Sequence, residues 1–192
     1  MPTPDPIVTS SHVAWPQAFT PAEMDAVVGL GEALAPRRAE IPDPVQREQL
    51  ERIRITRMAW LTPDDGNKWF YERMGQLIRS INERFFQFEL TGFSDPFQYT
   101  IYSQSDGGHY EWHVDQGATR VPRKLSLTLQ LSEPSDYEGC DLELRGGYKA
   151  ETAPRGRGTL IAFPAYVLHR VTPIKSGTRR SLVAWVSGPK FR

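Results

Sequence analysis

Apolar residues recur at spacings of three and four in the first part of the chain and alternate in the second, with the change near residue 95. In NKWFYERMGQLIRSINERFF, the residues Phe70, Met74, Leu77, Ile78, Ile81 and Phe85 form one apolar stripe opposite charged positions, which predicts a helix packed on a core. TPAEMDAVVGLGEAL predicts an earlier helix, opened by Thr20 as N-cap, Pro21 at the first helical position and Glu23 three residues past the cap. Between the two, APRRAEIPDPVQREQ is polar and proline-rich and reads as a loop. Beyond residue 96, LSLTLQLS sets Leu125, Leu127, Leu129 and Leu131 on one face of a strand and Ser126, Thr128 and Gln130 on the other. GTLIAFP, VLHRVTP and RSLVAWVSG are further strands bounded by Gly or Pro.

Helices followed by many short strands predict a mainly β protein, an antiparallel sandwich or barrel with helices packed on one outer face. The leucine face of LSLTLQLS belongs against the helix stripes, because the opposite choice would bury Ser, Thr and Gln against apolar helices without partners. Ser126, Thr128 and Gln130 then turn inward and line a polar ligand cavity. No repeat or low-complexity tract divides the chain, so residues 1–192 are read as one domain, with 1–95 a helical support and 96–190 a β core.

Composition narrows the setting. Twenty-three basic and 23 acidic residues balance, the pI is near 6.9, and a whole-surface attraction to nucleic acid or anionic lipid is not expected. One cysteine, Cys140, excludes an internal disulfide and fits a reducing cytoplasm. The beginning, MPTPDPIVTSSHVAW, has neither a basic leader nor a continuous apolar stretch, and the longest apolar run, LIAFPAYVL, is about half a membrane span and contains Pro164. The expectation is a cytoplasmic protein with no membrane contact.

Histidine is scarce, four in all, and two fall in HYEWHVDQG. His113 and Asp115, two apart, point the same way if they lie on a strand. His169, in the apolar phrase FPAYVLHRVTP, is a costly place for an unpaired imidazole. Arg179, ten residues on, opens a strand that would return beside the one carrying His169. Two imidazoles and one carboxylate on one face of a metal make the facial triad of non-haem Fe(II) oxygenases. Such an open site takes a 2-oxo acid as electron donor, and the acid's far carboxylate needs a buried, planar cation, for which Arg179 is the candidate.

IYSQSDGGHYEWHVDQG, RKLSLTLQLSEPSDYEGCDLEL and GTLIAFPAYVLHRVTPIKSGTRRSLVAWVSG together resemble the prolyl-4-hydroxylase-like branch of the Fe(II)/2-oxoglutarate-dependent dioxygenases, and the PKHD-type hydroxylases in particular. The resemblance implies a double-stranded β-helix, a jelly-roll of the cupin kind. It implies His113, Asp115 and His169 as metal ligands and Arg179 as partner of the distal carboxylate of 2-oxoglutarate. Tyr102 matches a family tyrosine beside the co-substrate, Gln130 stands where relatives often place a tyrosine touching the distal carboxylate, and Trp185 matches a large residue walling the iron site. The N-terminal half adds little to it. Other neighbours are read structurally: His109 as a solvated loop residue, Arg180 as a surface or structural ion pair on the face opposite Arg179, Gly107 and Gly108 as a turn, and Trp60, Trp69 and Trp112 as packing residues, Trp112 being near enough to the ligands to shape an entrance.

The activity so implied is hydroxylation of an unactivated C–H bond using Fe(II), 2-oxoglutarate and O2, with ascorbate as an accessory reductant. Asp115 disfavours a halogenase, whose relatives carry a small residue there. The substrate implied is an amino-acid side chain, free or in a peptide or protein, with proline first, and the stretches at 36–49 and 103–110 are read as lids. Nucleic acid is not expected as a partner, and a monomer or a homodimer is compatible with the neutral surface. Two rivals stay open: a nucleic-acid demethylase with the same iron chemistry, and a non-catalytic cupin-like module that binds a metal or small acid.

Overall fold

The computed structural model describes residues 5–38, 43–116 and 122–190. Helix α1 (Pro21–Ala33) begins where its capping box is written: Glu23 N donates to Thr20 Oγ1 at 3.2 Å, and Thr20 N donates to Glu23 Oε2 at 2.7 Å. Helix α3 (Lys68–Ile81) buries Phe70, Met74, Leu77, Ile78 and Ile81, the stripe its spacing defines. The last six residues of the loop expected around 36–49 open a helix, α2 (Pro44–Ile53), and residues 39–42 lie outside the described residues. Asp43 starts α2 by accepting from Val45 N at 2.8 Å and Gln46 N at 3.1 Å, with Pro44 in the first helical position. No residue of α2 is buried, so it has no apolar stripe for periodicity to reveal, and the cap was its sequence signal.

The strands are β1 (Ile7–Val8), β2 (Val13–Trp15), β3 (Arg54–Ile55), β4 (Arg57–Leu61), β5 (Gly92–Phe93), β6 (Phe97–Ser103), β7 (His109–His113), β8 (Arg123–Gln130), β9 (Tyr137–Gly139), β10 (Leu142–Arg145), β11 (Glu151–Thr152), β12 (Leu160–Pro164), β13 (Leu168–Val171) and β14 (Ile174–Ser187). The larger sheet runs β1-β2-β12-β8-β14-β6-β4, with β5 and β9 also paired to β14; the smaller runs β11-β10-β13-β7-β3. Both are open, so the architecture is a jelly-roll of two sheets and not a closed barrel.

The first 95 residues supply more than helices. β1, β2 and β4 extend the larger sheet at its two edges, and β3 extends the smaller one beside β7. These strands are two to five residues long, too short for alternation to stand out.

The orientation of β8 is the one its alternation requires. Leu125, Leu127, Leu129 and Leu131 join Met24, Val27, Phe70, Met74 and Ile81 of the helices in one core. Ser126, Thr128 and Gln130 face the other way, between the sheets. Burial of four leucines against the helices, at roughly 1.5–3 kcal/mol each, fixes which face of the sheet is left for a site. No helix among the described residues is long and apolar enough to cross a membrane.

Candidate functional site

β7 and β13 pair so that His113 lies directly opposite His169. The register then slips, with Val171 opposite Tyr110, so three steps on β7 match two on β13. This bulge turns Tyr110 and His113 to the same side despite their odd separation, and the Tyr110 ring stacks on His113 at 3.5 Å between centroids. Asp115 lies beyond the end of β7 and not on the strand that the His-x-Asp spacing implied. Its N–H and that of Gln116 donate to Ala165 O at 3.0 and 2.9 Å, which ties the turn after β7 to the turn before β13. A backbone clamp, not strand alternation, aims this carboxylate.

His113, Asp115 and His169 each present a donor atom within 4.8 Å of the others. Both histidines use the same local device. His113 Nδ1 lies 2.7 Å from Glu111 O, and His169 Nδ1 lies 2.9 Å from Val167 O, each carbonyl two residues earlier. Each carbonyl keeps the proton on Nδ1 and leaves Nε2 with a free lone pair. His169 Nε2 stands 3.5 Å from Asp115 Oδ2, and His113 Nε2 stands 3.9 Å from Asp115 Oδ1. These gaps are too wide for hydrogen bonds and narrow enough for one ion to meet all three donors. Burial, and then the neighbouring His169, press the His113 pKa down to about 4, so the imidazole is neutral at neutral pH and able to ligate. Ser126 Oγ donates to Asp115 Oδ2 at 2.6 Å, which orients the carboxylate from the inward face of β8. Two imidazoles and a carboxylate fit an open-sided Fe(II) site.

These donors open on a cavity of about 210 Å³ lined by both sheets. Arg179 enters it from β14, in the larger sheet. It therefore faces the histidine strands across the cavity and does not return beside β13. Arg179 is 2% exposed. Its Nε and Nη2 donate to Gln130 Oε1 at 3.2 and 2.9 Å, and Gln130 Nε2 donates to Pro154 O at 3.1 Å. Gln130 is not among the residues that line the cavity; it holds the arginine from behind. No carboxylate among the described residues pairs with Arg179. Tyr102 pairs with Arg179 across β6 and β14, its ring 5.7 Å from the guanidinium carbon. Burial raises the Tyr102 pKa, so the phenol keeps its proton and can donate a hydrogen bond. Trp185 lines the cavity with its Nε1 buried and without an acceptor among the described residues.

Arg54, Trp60 and Arg123 are among the lining residues that escaped the sequence. Arg54 on β3 and Trp60 on β4 come from the half of the chain that carried no resemblance, and Arg123 opens β8. Trp60, read as packing, is 45% exposed with its ring 6.2 Å from Trp185. RITRMAWL gave no warning of this, because Arg54, Thr56, Met58 and Trp60 on one side and Ile55, Arg57, Ala59 and Leu61 on the other each mix apolar and polar residues. Arg123 donates to Asp95 Oδ2 at 2.9 Å and lies 3.8 Å over the Trp185 ring.

The other neighbours have structural partners. His109 begins β7 and is no loop residue, its Nδ1 3.0 Å from Gly107 O. Arg180 donates to Glu32 Oε1 at 2.7 Å on the outer face. Trp69 packs on the core, and Trp112 lies under Arg170 at 4.7 Å and does not line the cavity. Gly107 turns the chain with φ +70°, and a side chain at Gly108 would meet the Tyr102 backbone at 3.0 Å. The 103–108 stretch is anchored by Asp106, which accepts from Ser103 Oγ at 2.6 Å and pairs with Arg57 at 2.8 Å.

A facing pair of sheets with this donor set defines a class. Residues 97–187 match the model of the 2OG-Fe(II) oxygenase superfamily. The chain is similar to a PKHD-type hydroxylase of Hyphomonas neptunium, 36% identical over 91 residues that make up 45% of this chain and 41% of that protein. The chain spans about two fifths of the length of the curated relatives it matches. Its fold resembles a prolyl hydroxylase of Trichoplax adhaerens, solved in complex with a hypoxia inducible factor oxygen degradation domain peptide fragment. The TM-score is 0.75 at 19% identity, over 94% of this chain and 84% of that one. A Pseudomonas putida prolyl-4-hydroxylase gives a TM-score of 0.66 at 21% identity, over 94% of each chain.

Proposed function

We propose that the chain is an Fe(II)- and 2-oxoglutarate-dependent hydroxylase whose described residues work as one catalytic domain in the cytoplasm. One observation carries this reading: three side chains that could ligate one metal ion and a buried arginine with no carboxylate partner among the described residues face the same cavity from opposite sheets. His113, Asp115 and His169 would hold the ferrous ion. When bound, the ion would activate O2, whose oxidising equivalents are shared between 2-oxoglutarate, which becomes succinate and CO2, and a substrate C–H bond, which becomes C–OH. Asp115 completes the donor set, which leaves no position for a halide and favours hydroxylation.

The remaining groups bind and orient. Arg179 takes the distal carboxylate of 2-oxoglutarate, since a buried guanidinium needs an anion and offers a planar fork to one. Gln130 keeps that fork in place, and Tyr102 donates to the co-substrate beside it. Trp185, Phe163, Leu142 and Val171 give the cavity apolar walls that exclude water from the reacting carbon. The prolyl hydroxylases of similar fold support an amino-acid side chain in a peptide or protein as substrate, with proline the first choice.

The test is anaerobic titration of metal-free protein with Fe(II) and then 2-oxoglutarate, followed by visible absorption. A weak charge-transfer band in wild type that disappears in His169→Ala supports the oxygenase reading. A folded wild-type protein with no band would transfer the lead to a non-catalytic binding module.

A further inference from the structure

Six ionisable groups other than tyrosines line the cavity: Arg54, His113, Asp115, Arg123, His169 and Arg179. With Fe(II) and 2-oxoglutarate in place, the charges of Asp115, the ion, the co-substrate and Arg179 cancel. Arg123 is matched by Asp95. Arg54 remains as one positive charge with no carboxylate partner among the described residues.

The surroundings of Arg54 sharpen the point. Its Nη2 donates to the neutral Gln98 Oε1 at 2.8 Å, and its Nε is buried with no acceptor among the described residues. Its guanidinium lies 4.7 Å over the Tyr110 ring, which stacks on His113. The other arginines nearby are paired: Arg57 with Asp106, Arg38 with Glu51 and Arg170 with Glu143. Arg54 and Tyr110 also line a second groove of about 280 Å³, formed with Leu50 and Ile53 of α2 and with Met58. Arg54 and Tyr110 are the two residues that this groove shares with the cavity of the triad.

We propose that Arg54 is the specificity-determining cation of this site and binds a carboxylate carried by the primary substrate. The assignment rests on the hydroxylase reading above and adds a substrate class to it: molecules with a carboxylate close to the hydroxylated C–H bond. A partly buried guanidinium gains most from an ionised partner, and the side-chain acceptor that Arg54 donates to, Gln98 Oε1, is neutral. The anion is either the α-carboxylate of a free amino acid or an acidic side chain next to the target residue in a peptide.

The test uses full-length protein loaded with Mn(II) and 2-oxoglutarate, with binding read from tryptophan fluorescence, since Trp60 and Trp185 flank the cavity. The probes are acetate, N-acetyl-L-proline against N-acetyl-L-prolinamide, and acetyl-Pro-Asp-amide against acetyl-Pro-Asn-amide. In wild type the anionic member of a pair should bind about tenfold tighter than its neutral twin. That preference should vanish in Arg54→Gln and return in part in Arg54→Lys. Whichever pair shows it identifies the source of the carboxylate.

The proposal is overturned if no anionic probe binds wild type, if the twins bind alike, or if Arg54→Gln keeps the preference. It is also overturned if Arg54→Gln weakens 2-oxoglutarate more than the probes, which would assign Arg54 to the co-substrate. If metal and 2-oxoglutarate do not bind at all, the hydroxylase reading fails separately. The same probe pairs on metal-free protein then decide whether Arg54 selects carboxylates.

Discussion

The end of the cavity that carries His113, Asp115 and His169 is aimed mainly by backbone, whereas the end that carries Arg179 is assembled from side chains. At the first end, each histidine is fixed by a carbonyl two residues earlier, and the Asp115 turn is fixed by Ala165 O. The donors there are two imidazoles and one carboxylate, and Asp115 and His113 keep partial contact with solvent. At the other end, Arg179 of β14 is held by Gln130 of β8, beside Tyr102 of β6, in full burial. One end presents lone pairs. The other presents a permanent positive charge. The two ends should therefore fail in different ways.

The largest effect belongs to the triad. His169→Ala, or alanine at His113 or Asp115, should abolish ferrous binding and turnover with the fold intact by circular dichroism; iron retained at wild-type affinity would remove the residue from the donor set. Next comes Arg179→Ala, which should raise the 2-oxoglutarate requirement on the order of a hundredfold with iron still bound, because a buried charge partner is lost. Unchanged co-substrate dependence would dissolve the distinction between the two ends.

Gln130→Leu should be smaller. It leaves the Arg179 N–H groups without their acceptor, at a cost of about 1–3 kcal/mol, seen as a lower Tm and an approximately tenfold higher 2-oxoglutarate requirement. An effect as large as that of Arg179→Ala would mean that Gln130 meets the co-substrate itself. The smallest change is expected one residue away. Arg180→Ala removes an ion pair with Glu32 whose side chains are 35% and 42% exposed, so thermal denaturation should register a loss below about 1 kcal/mol and 2-oxoglutarate titration no change. A strong effect on that titration would show that strand alternation does not separate the two arginines.

Alternation in LSLTLQLS determined which face of β8 meets the helices and which lines the site, because exchanging them would bury hydroxyls and an amide against apolar stripes. The capping box of α1 and the stripe of α3 were equally plain in the chain. The donor residues could be listed in order from their types and spacing. Tertiary structure alone decided how they meet: the bulge in β7 that turns Tyr110 toward His113, the clamp of Asp115 on Ala165 O, and the approach of Arg179 from the opposite sheet. It also decided that Arg54 and Trp60, some fifty residues before the triad, reach the cavity from short strands at the sheet edges. Local periodicity records which face of an element is apolar. It carries no information about which distant elements will lie side by side, since strand pairing is settled by contacts between segments far apart in the chain.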